Sequence, residues 1–382
     1  MPKDISVTRE EGRRIAEQAI ARDAEKEVLL DVENLHVTLF TEDGALPAIT
    51  DLSFVMRRGE TLAVVGESGC GKSMTALSIM GLLPQPPAKI TGGQINFDGT
   101  DLAKLSRDEM RAYRGSKMGM IFQEPMTSLN PVMTAGKQIR EGILVHNPKM
   151  DKKEADARAL EMIKLVGIPA PEKVFRSYPH ELSGGMRQRV MIAIALACQP
   201  DLLICDEPTT ALDVTIQAQI LDLLRRLRDE EGMSVVLISH DLGVVASLCD
   251  RVEVMYGGMA LESGLVDDVF ERPRHPYTSA LLGAVPNPNE RRTDRLVSIP
   301  GTPPSLVNPL DACPFADRCK FAADVCRTMV PEWRNYPSGQ IARCAFDADA
   351  LGLVGVGQGG EPCVCCGGQA GDIKDDERAK EA

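Results

Sequence analysis

Three short apolar runs stand out along the chain. They are "TLAVV" (residues 61–65), "LLIC" (202–205) and "SVVLI" (234–238), and each ends at glycine, acidic or other polar residues. Runs of that length bounded by turn signals predict strands. "ETLAVVGESGCGKSMTALSIMGLL" reads as strand, glycine-rich turn and first long helix. Between the other two runs, "TIQAQILDLLRRLRDEEG" has apolar residues at helical spacing, so the order strand, helix, strand recurs and the class is α/β. Upstream, "VLLDVENLHVTLF" and the segments after it break into short β-rich pieces separated by Gly, Asp and Pro, which predicts a small sheet. From about Lys104 to about residue 180 the pattern is charged and helical, as in "MDKKEADARALEMIKLVGI", and predicts an inserted helical subdomain.

The ends of the chain read differently. Residues 1–27 are charged throughout, with only Ile15, Ala19 and Ile20 as a thin apolar stripe, which predicts a solvated leader and no signal peptide. The expected location is therefore cytoplasmic. After Arg272 prolines multiply and periodicity fades, so a domain boundary is expected there and a separate extension over 272–350. Residues 351–382 are glycine-rich and then highly charged, the composition of a disordered tail.

Composition narrows the function classes. Of the 382 residues 43% are hydrophobic and 26% charged, as in soluble globular proteins, and the length allows a large domain plus a smaller one. The net charge of -12 argues against a nucleic-acid partner, because backbone binding depends on clustered Lys and Arg. The longest apolar run, "VMIAIALAC" (Val190 to Cys198), is far short of the ~20 residues needed to span a bilayer. Work at a membrane would need a partner that supplies the span.

The candidate chemistry lies at the strand ends. Gly66, Glu67, Ser68, Gly69, Cys70, Gly71, Lys72 and Ser73 fit G-x-x-x-x-G-K-[ST], between a predicted strand and a predicted helix, with Met74 directly after. In such a loop backbone N–H groups cradle phosphates, Lys72 reaches the outer phosphates and Ser73 can ligate Mg²⁺. The apolar strand "LLICDE" delivers Asp206 as a second Mg²⁺ ligand and Glu207 as a carboxylate able to polarise water.

With "LSGGMRQR" (Leu182 to Arg189) added, the chain resembles the ATP-binding cassette ATPases. Gln123 in "IFQEP" matches their glutamine loop, Ser183, Gly184 and Gly185 their signature, Asp213 in "TALD" their D-loop, and His240 in "LISHD" their switch histidine. The resemblance implies a P-loop ATPase domain over 28–271, with an antiparallel β subdomain and a helical subdomain at about 104–180. It also implies two such domains facing head to tail, each ATP lying between the glycine loop of one and the signature of the other. Glu207 would then activate water, His240 would stabilise the transferring phosphoryl group, and Gln123 would ligate Mg²⁺ and sense a transmembrane partner. Phe40 is the aromatic residue nearest to the place where relatives stack adenine.

"RPRHPYTSALLGAVPNP", "SIPGTPPSL" and "CPFADRC" resemble the C-terminal extension of oligopeptide and dipeptide importer ATPases. That likeness, from about Val28 to Phe346, implies two permeases, a substrate-binding protein and a second ATPase as partners at the cytoplasmic face of the plasma membrane; the second ATPase is another copy or a related chain, and the resemblance favours the heterodimer. Nickel, glutathione or other peptide-like cargo belongs to relatives as well, and a soluble cassette ATPase is the competing class. Cys313, Cys319, Cys326 and Cys344 match the four-cysteine pattern of that extension. In a reducing compartment four thiolates can close a site for a [4Fe–4S] cluster or for zinc, and gaps longer than the two residues of common zinc ribbons favour the cluster. Cys70, Cys198, Cys205 and Cys249 are expected to be packing residues. Cys363, Cys365 and Cys366 fall in the tail.

Overall fold

The computed structural model describes residues 27–42, 44–210, 213–285, 298–304 and 311–353. The leader before residue 27 and the tail with Cys363, Cys365 and Cys366 lie outside the described residues. Two sheets organise the molecule. The first is antiparallel, in the order β2-β1-β4-β5, built from β1 (Val28–Thr41), β2 (Gly44–Arg57), β4 (Ala88–Phe97) and β5 (Thr100–Asp101). Its inward positions, among them Leu30, Val32, Val37, Ile95 and Phe97, are buried, while exposed and half-buried residues alternate with them along β4, as expected of a sheet with one face packed.

The second sheet runs β11-β12-β10-β9-β3-β8-β7-β6. Its central strands are β3 (Thr61–Val65), β7 (Leu202–Asp206) and β8 (Ser234–Ile238), mutually parallel neighbours in the order β3-β8-β7 and buried at every position. Continuous apolar runs suit strands covered on both faces, and here they end at the glycine loop and at Asp206. α1 (Lys72–Ile79) follows β3 directly; it has 8 residues, shorter than the apolar run after the loop predicted, because the chain turns at Met80 and Gly81. α8 (Val214–Glu231) spans the predicted helix between β7 and β8 and stops at Gly232 in the left-handed conformation.

The helical section needs one correction. Between α2 (Arg107–Tyr113) and α3 (Pro125–Ser128) lies β6 (Met118–Ile121), which pairs in parallel with β7 and belongs to the central sheet. The span 104–180 is therefore not one helical insert. A four-residue apolar run has too few positions to display a period, and its pairing with β7 decides it. Beyond β6 the helices α4 (Ala135–His146), α5 (Lys152–Leu165) and α6 (Pro171–Arg176) bury Ile139, Ile143, Ala159, Met162 and Val174 in a core shared with α7 (Gly184–Leu196) and α8.

The extension is also more integrated than its composition suggested. β9 (Arg251–Tyr256) and β10 (Met259–Leu265) close one side of the sheet, and β12 (Ile341–Ala342) pairs with β10, with β11 (Arg334–Asn335) at the edge. α9 (Val266–Glu271) and α10 (Pro276–Gly283) pack Phe270 and Tyr277 into one cluster with Val65, Tyr256 and Phe315. Arg343 lies over Trp333 and pairs with Asp51 of β2, tying the extension to the first sheet. The boundary expected at Arg272 is thus a change of local pattern inside a shared core. Irregular segments can bury apolar side chains without showing any period.

Candidate nucleotide site

The loop after β3 is shaped by close backbone approaches. Gly66 has φ 149°, and a Cβ there would lie 2.1 Å from the Met255 carbonyl oxygen, so only glycine fits. Gly69 and Gly71 also have positive φ, which turns the chain into the N-terminus of α1. Lys72 is buried and its Nζ donates to the carbonyls of Gly66 (2.8 Å) and Glu67 (3.0 Å), curling the loop around the ammonium. Cys70 is buried beneath the loop, and Met74 packs against the core.

Two strand ends face this loop. Asp206, the last residue of β7, accepts a hydrogen bond from Ser73 Oγ at 3.1 Å. Burial pushes its carboxyl above the usual range, partly opposed by the Ser73 bond. A buried carboxylate beside a hydroxyl is a hard-oxygen donor pair suited to Mg²⁺, whose charge would reverse that shift.

Glu207 stands next to it with φ 48°, a rare conformation for a side-chain-bearing residue, held by its N–H to Ile238. Three residues from separate segments converge on its carboxylate. Gln123 Nε2 donates to Oε2 (3.1 Å), Thr210 Oγ1 donates to Oε2 (2.9 Å), and His240 Nδ1 lies 3.3 Å from Oε1. Burial pushes the Glu207 carboxyl up, but the hydrogen bonds from Thr210 and His240 and the charges of His240 and Lys72 outweigh it, leaving it below the usual carboxylate range. Thr210 had no motif to announce it. Gln188, in the signature helix, was missed as well; it is buried and donates to the Pro208 carbonyl at 2.6 Å, bracing the turn after Glu207.

The signature residues lie apart from this cluster. Ser183 caps α7 by accepting the Met186 N–H, Gly184 and Gly185 form the first turn, and Asp213 caps α8 through Ile216. Among the described residues no hydrogen bond or ion pair joins Ser183, Gly184 or Gly185 to the glycine loop. Phe40, at the end of β1, is 53% exposed, so its ring is open to a partner rather than part of the core.

In the extension Cys313, Cys319, Cys326 and Cys344 line one pocket with His275, Phe315, Pro331 and Phe346. The Cys313 N–H donates to the Cys326 carbonyl, and all four thiols are free. Burial and then the neighbouring cysteines push Cys313 up to about 12, and Cys319, burial first, to about 11. Among the described residues no group of three or more His, Cys, Asp or Glu is arranged to hold a metal ion. Of the remaining cysteines, Cys70 and Cys205 are buried in the core, Cys249 packs against it, and Cys198 Sγ donates to Gly142.

A glycine loop curled around a buried Lys72, an Asp206–Glu207 strand end and signature residues with no bond to that loop define an ATP-binding cassette ATPase. The ABC transporter family model matches residues 49–210, and the model for the oligopeptide/dipeptide transporter C-terminal region matches residues 261–326. The chain is 52% identical to a probable peptide ABC transporter ATP-binding protein of Sinorhizobium fredii, over 86% of this chain and 97% of that one. It is 53% identical to the dipeptide transport ATP-binding protein DppD of Bacillus subtilis, over 80% and 90% of the two chains. A dimeric cassette in a post-hydrolysis state bound to ADP and phosphate matches 62% of this chain and 99% of its own, with 30% identity and a TM-score of 0.57. The chain belongs to the ATP-binding proteins of peptide ABC transporters, ATPases that power peptide import. Among the described residues no helix is long and apolar enough to cross a membrane.

Proposed function

We propose that this chain is the ATP-hydrolysing subunit of a di- or oligopeptide importer, peripheral on the cytoplasmic face of the plasma membrane. Two permeases, a substrate-binding protein and a second, related ATPase complete the machine. The observation that carries the catalytic reading is the convergence of Gln123, Thr210 and His240 on the Glu207 carboxylate. Held ionised and oriented, Glu207 takes the proton of the attacking water, while His240, largely exposed beside it, supports the charge developing on the γ-phosphate. Lys72 exchanges its loop carbonyls for the outer phosphates, and Phe40 stacks on the adenine.

Ser73, Asp206 and Gln123 would hold Mg²⁺, which neutralises phosphate charge when bound. The detached signature supports a head-to-tail pair: Ser183, Gly184 and Gly185 of one subunit complete the site of the other, with Asp213 at the junction. Hydrolysis removes that bridge and lets the pair open, the motion that Gln123 and the helices after it pass to the permeases.

Four thiols around one largely apolar pocket support a [4Fe–4S] cluster in the extension, ligated by Cys313, Cys319, Cys326 and Cys344. Iron and acid-labile sulfide in equal amounts in anaerobically purified protein are the expected result; stoichiometric zinc without iron reverses the assignment.

Glu207→Gln tests the catalytic reading. It should lower ATP turnover by about 10²- to 10⁴-fold while ATP remains bound, and peptide uptake by the reconstituted importer should stop. Unchanged turnover would remove Glu207 as the base.

A further inference from the structure

Glu67, the second residue of the glycine loop, has every polar group held. Its N–H donates to Tyr277 Oη (2.9 Å), its carbonyl accepts from Lys72 Nζ (3.0 Å), and its carboxylate takes both arms of Arg318, at 2.6 and 3.0 Å. Arg318 and Tyr277 both come from the chain beyond Arg272, and Arg318 is 251 residues away in sequence from the glutamate it holds.

Arg318 is saturated. Besides Glu67, Nη1 donates to Tyr256 Oη (2.9 Å), Nη2 to the Ile299 carbonyl (3.1 Å) and Nε to the Pro300 carbonyl (2.8 Å). A guanidinium carries five N–H donors, and five acceptors surround this one, with the side chain only 5% exposed. The surrounding structure is built to receive it. Gly301 has φ 80°, and a Cβ there would press on Arg318 Cγ at 3.2 Å. Tyr256, Tyr277 and Phe315 pack against one another in tilted and edge-on arrangements at 4.5 to 5.3 Å between ring centres. Such a fork–fork pair fixes orientation as well as distance.

We infer that Arg318 is a positioning residue for the nucleotide site: through Glu67 the C-terminal extension holds the phosphate-binding loop in its binding shape before ATP arrives. The inference rests on the nucleotide site proposed above. A loop that cradles phosphate with backbone N–H groups binds best when its conformation is already in place, because any ordering left to the binding step is subtracted from affinity. With Arg318 gone, Glu67 is left as a carboxylate with no cation, and residues 66–71 lose the side-chain anchor on the outer side of the turn. The loss falls on ATP binding and not on the chemistry at Glu207, which has its own supports in Gln123, Thr210 and His240.

The test uses the full chain, with ATP affinity measured by calorimetry and the kinetic constants measured in the reconstituted importer. Arg318→Ala should weaken ATP binding about tenfold, the size expected when roughly one residue must be ordered on binding. KM should rise with it while kcat at saturating ATP is retained. Arg318→Lys should not restore affinity, because one ammonium cannot serve five acceptors in a plane. Glu67→Gln should weaken ATP binding by a similar factor, and the double variant should be no worse than Arg318→Ala alone. Wild-type affinity in folded Arg318→Ala and Glu67→Gln, or a fall in kcat at unchanged affinity, overturns the inference. Should Arg318→Ala fail to fold, Glu67→Gln decides alone, since it leaves the other three acceptors of Arg318 untouched. Failure of the unaltered chain to bind ATP, or Lys72→Ala binding as well as the unaltered chain, would refute the nucleotide site itself.

Discussion

Glu253 gives the sharpest stability prediction. It lies on β9, the strand beside β3, and is 1% exposed. Ser263 Oγ donates to one carboxylate oxygen, the other has no hydrogen-bond partner among the described residues, and Arg251 and Glu60 are the charged neighbours. Burial, only partly offset by Ser263 and Arg251, pushes the carboxyl up from 4.5 to about 7. A folded-state value above the unfolded one means that the native state holds the proton more tightly. Stability from this group is therefore complete below about pH 4.5 and is lost as pH rises through 7. Each pH unit of that window is worth about 1.36 kcal/mol, so ionising Glu253 in place costs about 3 kcal/mol above pH 7. Glu253→Gln keeps the shape and removes the charge. It should raise stability by up to about 3 kcal/mol at pH 8.5, less whatever the new amide N–H groups lack in acceptors, and do nothing favourable at pH 4.5. Urea denaturation of the full chain across that range measures it. An equal effect at both ends, or a loss at pH 8.5, would refute the reasoning.

Two further outcomes concern the sites. Phe40→Ala should weaken ATP binding about tenfold if the exposed ring stacks on adenine, with no change in folding stability, since the ring is not part of the core; unchanged affinity in calorimetry would end that assignment. Chelating the proposed cluster from anaerobic protein should raise KM for ATP, because Arg318 immediately precedes Cys319 and its hold on Glu67 depends on that turn. A KM indifferent to metal content would separate the cysteine pocket from the loop.

Two contacts that tie the extension to the rest illustrate how far residues must travel to act together. Arg343 reaches Asp51 and Arg318 reaches Glu67, both across more than half the chain. Neither pair is visible as a motif, since an isolated arginine carries no spacing signal. Glu207 is an intermediate case. Its own place was readable from "LLICDE", and Gln123 and His240 were readable only through resemblance. Thr210 and Gln188 became visible only when the strand end folded back against α7.

By itself the sequence determined the features whose signal is local. Continuous apolar runs predicted β3, β7 and β8, helical spacing predicted α5 and α8, and glycines at fixed intervals followed by Lys72 and Ser73 predicted the phosphate loop. Tertiary structure decided what depends on partners far along the chain. β6 became a strand because β7 offered it an edge, and the region after Arg272 joined the main sheet through β12. The four cysteines met in one pocket, and Arg318 came to hold Glu67 of the glycine loop. The reason is physical: side-chain period and turn chemistry are written within a few residues, whereas burial, pairing and charge neutralisation are settled only when distant segments compete for the same surface.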